Sequence, residues 1–456
     1  MHTPYLLFYP DRDFDDVPDG PPVVHLQGFG LEDTHASANG LAWGPDGWLY
    51  GAQGSSTSSR VTRPGVTPAE TEGTYFEGCM VWRYHPETRE YEIFSEGSGN
   101  TFGLELDAHG RFYSGLNSGA SRGWHYVQGG VYLMQGVNPG KFGPPRNPYA
   151  FGDLPKMHTL TTVRRFSHFG AYAEGTAMPA GYQGHLMAID TLHNEIIDVE
   201  RSVRGSTFET RDLSVVVKSD DVAFRPIFIV NAPDGSMFVS DMYEYYIAHG
   251  QHYQNRIDPS TGRIYRLRGA DVPLESDTNL AGKSSAELVT LLAHPNKWHR
   301  HTAARVLGER MDPGIAANVT QMLAKDPGLG AMTALWALQQ MGQLDDEITL
   351  AAFQHPYPMV RMWAVQFLGN RYGINRGLGL PPQKGPLNAT ELPARMMQAL
   401  SELTRREPNA EVRSQVASTA RRLRTPQALA LVSILTTHDA DVSDPYIPLL
   451  TWLVLE

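Results

Sequence analysis

Five aspartates crowd the segment YPDRDFDDVPDG: Asp11, Asp13, Asp15, Asp16 and Asp19. Alternating carboxylates on a turn are the donor set that surrounds a hard cation such as calcium. The D-x-D-x-D spacing of Asp11, Asp13 and Asp15 resembles the start of a calcium loop, but Asp16 stands where the loop glycine belongs. A structural calcium held by Asp11, Asp13, Asp15 and Asp19 is expected, against the alternative of a solvated acidic turn. A second group lies in DTHASANGLAWGPDG, where His35 and Asn39 flank Ser37 ahead of an apolar run. A neutral imidazole in such a loop can act as a general base near working pH.

RFSHFGAYAEG adds His168 and Tyr172. The densest polar and aromatic stretch is FRPIFIVNAPDGSMFVSDMYEYYIAHGQHYQNRIDPSTGRIYRL. There Arg225 precedes an apolar run, Asp241 and Tyr243 follow its partner, and His249, His252, Arg256 and Arg263 lie beyond. Arginines suit carboxylates and aromatic faces suit a flat or sugar-like ligand, so the stretch reads as one wall of a concave pocket. His249 and His252 offer two ligands at i, i+3 without a third, and a transition metal is not expected from them. No GxSxG elbow, P-loop or HExxH is present. GLGLPPQKG and GSGNTFG are glycine-rich without a strand–helix context, which leaves them no phosphate role.

The elements that must position these residues change texture near residue 280. Before it, runs such as MVWRYHP, YEIFSEG, GGVYLMQG, GHLMAID and LSVVVKS alternate with Gly, Asn, Asp and Pro, as short strands do. Three of the turns echo one another: GPDGWLY, DAHGRFY and APDGSMF, with Gly47, Gly110 and Gly235 standing 63 and then 125 residues apart. In such a turn Pro sets φ at the second position and Gly takes the positive φ that follows. A hairpin repeating at about 60 residues is what a propeller blade gives. A middle copy near residue 172 is missing, although GHLMAID followed by NEIIDV can pair.

After residue 280, four segments repeat an apolar helix, a turn and an Ala- and Leu-rich helix. Pro295, Pro327, Pro356 and Pro408 mark the turns, and Arg361 and Arg413 follow theirs by five residues. This pattern reads as HEAT-type repeats burying a shared core. The expected fold is thus an all-β propeller of six or seven blades, complete or incomplete, over residues 1–272, then an all-α HEAT-type array over 284–456. PLLTWLVLE at the end is apolar without a polar capping repeat, which suggests a truncated array.

Composition narrows the function classes. At 456 residues, 41% apolar and 19% charged, the chain suits more than one folded unit. A net charge of −11 argues against a nucleic-acid partner. Cys79 stands alone, so no disulfide, thiolate zinc site or CxxCH haem attachment is available. No run of 18 apolar residues spans a membrane, and the acidic start lacks a secretory n-region, so no signal peptide is expected in this chain.

Together NGLAWGPDGWLYGAQG, NTFGLELDAHGRFY, GWHYVQGG, the long FRPIF–IYRL stretch and the helical repeats resemble the membrane-bound dehydrogenase-like proteins of planctomycete and verrucomicrobial type. Their propeller is similar to that of soluble quinoprotein glucose dehydrogenase. The resemblance covers about residues 5–270, and more loosely 284–424. It implies oxidation of a carbohydrate or alcohol by pyrroloquinoline quinone with calcium, in the periplasm or outside the cell. On that likeness His35, nine residues before Gly44, takes the hydroxyl proton while hydride passes to the quinone. Asn39, His168 and Asp241 complete the catalytic set, and Arg225, Tyr243, His252 and Arg263 hold the cofactor. The electron acceptor would be another protein, met through the helical repeats. Two further readings stay open: a calcium-dependent propeller hydrolase or lactonase with an axial metal at Asn39 and Asp241, and a non-catalytic scaffold binding a glycan or protein, favoured by an axial channel filled with apolar side chains.

Overall fold

Runs rich in Val, Ile, Phe and Tyr form strands as far as Leu267, and Ala- and Leu-rich runs form helices from Ser285 onward. The computed structural model describes residues 1–13, 15–32, 37–54, 57–66, 73–100, 102–133, 152–245, 258, 260–373 and 390–455. A hairpin of β1 (Tyr5–Phe8) and β2 (Val23–Gln27) opens the chain. The first large sheet takes β3 (Asn39–Trp43) and β4 (Leu49–Gln53), is interrupted by a hairpin of β5 (Ser58–Val61) and β6 (Thr74–Glu77), and resumes with β7 (Met80–Tyr84) and β8 (Tyr91–Glu96). The second sheet is β9 (Glu105–Leu106), β10 (Phe112–Ser114) and β11 (Trp124–Tyr126). In the third, β12 (His158–Thr159) pairs parallel to the far edge of an antiparallel run β13 (Gly170–Tyr172), β14 (Leu186–Asp190), β15 (Glu195–Arg204) and β16 (Thr207–Lys218). The fourth is β17 (Pro226–Asn231), β18 (Met237–Asp241) and β19 (Arg263–Leu267).

These four sheets are blade-like: each pairs its neighbours in chain order, and the leading strands β3, β9, β13 and β17 pack side by side. GHLMAID and NEIIDV do pair, as β14 with β15. The interval of 125 residues is explained by the third sheet, whose leading strand β13 turns through a longer loop to β14 instead of a four-residue turn. Six or seven blades do not form among the described residues, and no sheet there bridges β17 back to β3. The strand-forming sequence is spent by Leu267, and helices cover the end where the turns lie.

The helices come in pairs: α1 (Ser285–Leu291) with α2 (Lys297–Arg310), α3 (Ala316–Lys325) with α4 (Leu329–Gln340), and α5 (Asp346–Ala352) with α6 (Pro358–Tyr372). Next come α7 (Ala394–Arg406), α8 (Ala410–Ala420), α9 (Thr425–Leu435) and α10 (Ile447–Leu455). The even-numbered helices stack on one another as an inner layer, facing the sheets. Gly330–Leu338 of α4 and Met359–Gly369 of α6 are buried without a break, as expected of helices covered on both sides. Each of Pro295, Pro327, Pro356 and Pro408 stands two residues ahead of an inner helix. The arginines that follow bind the pairs together. Arg361 donates to the carbonyls of His355 (2.7 Å) and Pro356 (3.0 Å), and grips Glu407 of the next turn with two bonds of 2.6 and 2.7 Å. Arg413 repeats the pattern with the Glu407 carbonyl and the Asp441 carboxylate. One apolar core runs through both layers, joining Tyr50, Phe94, Phe112 and Tyr132 of the sheets to Trp336, Trp363, Val416 and Leu450 of the helices. Among the described residues no helix is long and apolar enough to cross a membrane.

Candidate functional site

The three echoing turns share one geometry. Gly47 N donates to Gly44 O, Gly110 N to Asp107 O and Gly235 N to Ala232 O, at 3.2, 2.9 and 3.1 Å. The glycines take φ of +83°, +74° and +84°, which a side chain would resist. All three turns lie at one end of the sheets, and the inner helices seize their free carbonyls. Asn296 donates to Pro233 O (3.2 Å), Gln340 to Pro45 O (2.9 Å) and the Trp363 indole to His109 O (2.9 Å). Farther along, Ser418 donates to Gln128 O and Tyr446 to His125 O.

The residues nominated for chemistry lie at the other end, where the leading strands begin. His35 and His252, with His249 and Arg256, fall outside the described residues. The others form a chain of contacts around the rim. Asn39 Oδ1 accepts from Gly103 N at 3.0 Å, and the ring of the adjacent Phe102 stacks on His168 at 5.1 Å. His168 Nδ1 meets Thr191 Oγ1 at 3.1 Å, and the Thr191 carbonyl accepts from Arg225 at 3.0 Å. Arg225 also donates to the carbonyls of Glu244 and Tyr245. Asp241 accepts from the backbone amides of Arg225 (2.7 Å) and Tyr243 (2.8 Å). Tyr243 donates to Asp221 at 2.9 Å, and the Arg263 guanidinium lies 3.4 Å from the centre of its ring. These groups tie one strand start to the next rather than converging on a point.

Between the leading strands and the inner helices is a cavity of about 450 Å3. Alternate side chains of β3 and β17 line it: Leu41, Trp43, Phe228 and Val230, all exposed. Trp48 of the first turn, Trp298 of α2 and Gln340 of α4 form other parts of the wall. Asp46, Glu87, Arg305 and Glu309 line it as well, and Glu105 of β9 there meets Lys297 at the first position of α2. Lys297 Nζ donates to Glu105 at 2.8 Å, lies 3.1 Å from Glu174 and also donates to the Leu106 carbonyl. Burial pushes the Glu105 carboxyl up to about 7 despite the pull of Lys297. The Lys297 ammonium is held charged, because the two carboxylates beside it outweigh its burial. Sequence reasoning misses this group. LELDAHG reads as a turn and HPNKWHR as a helix, and the local signal was a lysine on the side of α2 that had to be buried.

In the acidic turn, Asp11, Asp13 and Asp15 each bring a carboxylate oxygen within 4.8 Å of the others. Asp11 accepts the amides of Asp15 and Asp16, and Asp15 accepts that of Val17. Asp19 instead accepts from Arg12 N at 2.6 Å, with the Arg12 guanidinium 3.7 Å away.

A family model described as a domain of unknown function (DUF7133) matches residues 1–271. No curated protein matches the chain. Among solved structures, an oxidoreductase (glucose dehydrogenase) from Thermus thermophilus is 14% identical with a TM-score of 0.31, covering 55% of this chain and 88% of its own. A second glucose dehydrogenase is 13% identical with a TM-score of 0.30, covering 58% and 90%.

Proposed function

The chain belongs to the DUF7133 family of domains of unknown function, and we propose that it binds a small molecule of the sugar or alcohol class in the groove between its leading strands and inner helices. The observation that carries this reading is the cavity of about 450 Å3, in which exposed Trp43 shares the wall with Trp48, Glu105, Lys297 and Gln340. Indole faces suit the C–H face of a sugar ring, while a carboxylate and an amide suit its hydroxyls. Glu105, with its carboxyl raised toward neutrality by burial, is placed to accept a proton from a ligand hydroxyl.

Pyrroloquinoline quinone with calcium, implied by resemblance, would supply a hydride acceptor. The described rim residues do not fit such a cradle: the Arg225 guanidinium is spent on backbone carbonyls and Asp241 on backbone amides. A protein partner of the helical stack would meet the odd-numbered helices, since the inner face is taken by the sheets.

Titrating sugars and alditols while following tryptophan fluorescence tests the proposal. Saturable quenching is expected with at least one compound, weakened tenfold or more in Trp43→Ala. A panel without any quenching overturns it. Repeating the panel with quinone, calcium and a reducible dye separates binding from oxidation.

A further inference from the structure

A second cluster sits where the sheets hand over to the first helix pair. His299 Nε2 lies 2.8 Å from Glu275 Oε2, and His294 Nε2 lies 3.7 Å from the same oxygen. One ligand-type atom from each of the three residues falls within 4.8 Å of the others. The two imidazole centres are 4.5 Å apart. The other carboxylate oxygen, Oε1, is fixed by Asn296 Nδ2 at 3.2 Å and by the Thr176 hydroxyl. Outer groups that hold one oxygen and so aim the other are characteristic of ligating carboxylates.

The helical register shows how unusual this is. His355 and His438 occupy the corresponding turns of later pairs, and their Nε2 atoms meet the carbonyls of Asp326 (3.1 Å) and Thr404 (2.8 Å) in an earlier pair. His294 precedes the first inner helix and faces a carboxylate and a second imidazole instead. His299 is 3% exposed, and its Nδ1 is buried without a hydrogen-bond partner.

We propose that Glu275, His294 and His299 bind a divalent transition ion of the zinc class, with solvent completing the coordination. Two imidazoles and one carboxylate suit tetrahedral zinc, and nitrogen donors disfavour calcium. The half-buried Glu275 and His294 leave a way in. Binding through both Nε2 atoms moves the ring protons to Nδ1. That exchange breaks the contacts His299 Nε2 makes with Glu275 and with Pro233 O at 3.2 Å. At His294 it also displaces the Asn296 amide, 3.1 Å from Nδ1. These losses, with the buried Nδ1–H of His299 left without an acceptor, make the expected binding weaker than at a dedicated structural zinc site.

Metal-stripped full-length protein titrated with zinc by calorimetry, and with cobalt(II) by visible absorption, tests the site. One equivalent is expected, with the intense cobalt bands of a tetrahedral site. Glu275→Gln and His294→Gln should each weaken uptake at least tenfold, while Asp220→Asn on the exposed loop after β16 leaves it unchanged. His294 is the more exposed imidazole, so its variant keeps the test open if His299→Gln does not fold. Absence of stoichiometric uptake, or uptake indifferent to Glu275→Gln and His294→Gln, overturns the proposal.

Discussion

Lys297 donates to Glu105 and to the Leu106 carbonyl and lies 3.1 Å from Glu174, so two carboxylates flank its ammonium. Lys297→Met leaves both carboxylates in the interior without a cation, and the expected loss is ~3–5 kcal/mol in chemical denaturation. Glu105→Gln in the same background should recover part of it. The sign of the pH effect at Glu105 follows from its raised carboxyl. From its ordinary 4.5 up to about 7, the folded chain keeps a proton that the unfolded chain gives up, so stability falls as pH rises through this window. Glu105→Gln should flatten that slope. Gly110 makes a second test. With φ at +74°, a Cβ there would lie 2.7 Å from the Trp363 ring and 2.8 Å from Pro45, so Gly110→Ala should lose ~1–3 kcal/mol or more by thermal melt. The need for glycine at this turn was legible in DAHG. The need for empty space beside it was not, because Trp363 arrives from a helix far along the chain.

Among the elements, the arginine bridges between helix pairs were half visible. Proline at the turn and arginine five residues later gave the register, yet nothing local said that Arg361 reaches forward to Glu407. Glu407→Ala leaves the buried Arg361 guanidinium without its carboxylate, and a loss of ~3–5 kcal/mol is expected. Converting both to apolar residues, as Arg361→Met with Glu407→Leu, should cost far less. A double-mutant cycle by denaturant unfolding measures the difference. Strands and hairpins are legible where turn chemistry is local. The polar rim stands out in the sequence because polar density looks like chemistry, but Arg225 and Asp241 spend their bonds on backbone groups that strand starts leave open. The groove is built by long-range packing, which has no signature in spacing.

For the molecule as a whole, the shared core predicts one unfolding event. Near- and far-ultraviolet circular dichroism should report a single coincident melt, and two separated transitions would contradict the common core. Acid should weaken that core. Burial pushes the His125 imidazole down to about 3, and burial together with Arg111 does the same to His109. Both lie where sheet meets helix, His125 stacked on Tyr446 and His109 bonded to Tyr357. Their contribution is complete above the unfolded value of 6.5 and is lost progressively as pH falls toward 3. For His125 the loss reaches ~2 kcal/mol at pH 5. Two such histidines outweigh the opposing slope of Glu105, ~2 kcal/mol over the same window, so the melting temperature should drop between pH 7 and 5. His125→Phe, if it folds, should reduce that drop.

The grip of inner helices on hairpin carbonyls also bears on how such a chain can change in length. Gln340 and Pro45 are 295 residues apart, and the donors at α2, α4 and α6 each hold a different turn, those of the fourth, first and second sheets. Deleting one of these helix pairs would leave the turn carbonyl it holds without that donor. A change in the number of helix pairs is thereby coupled to the hairpins they hold. Among the described residues the opposite rim is not held by the helices in this way, so loops there can lengthen without disturbing these contacts.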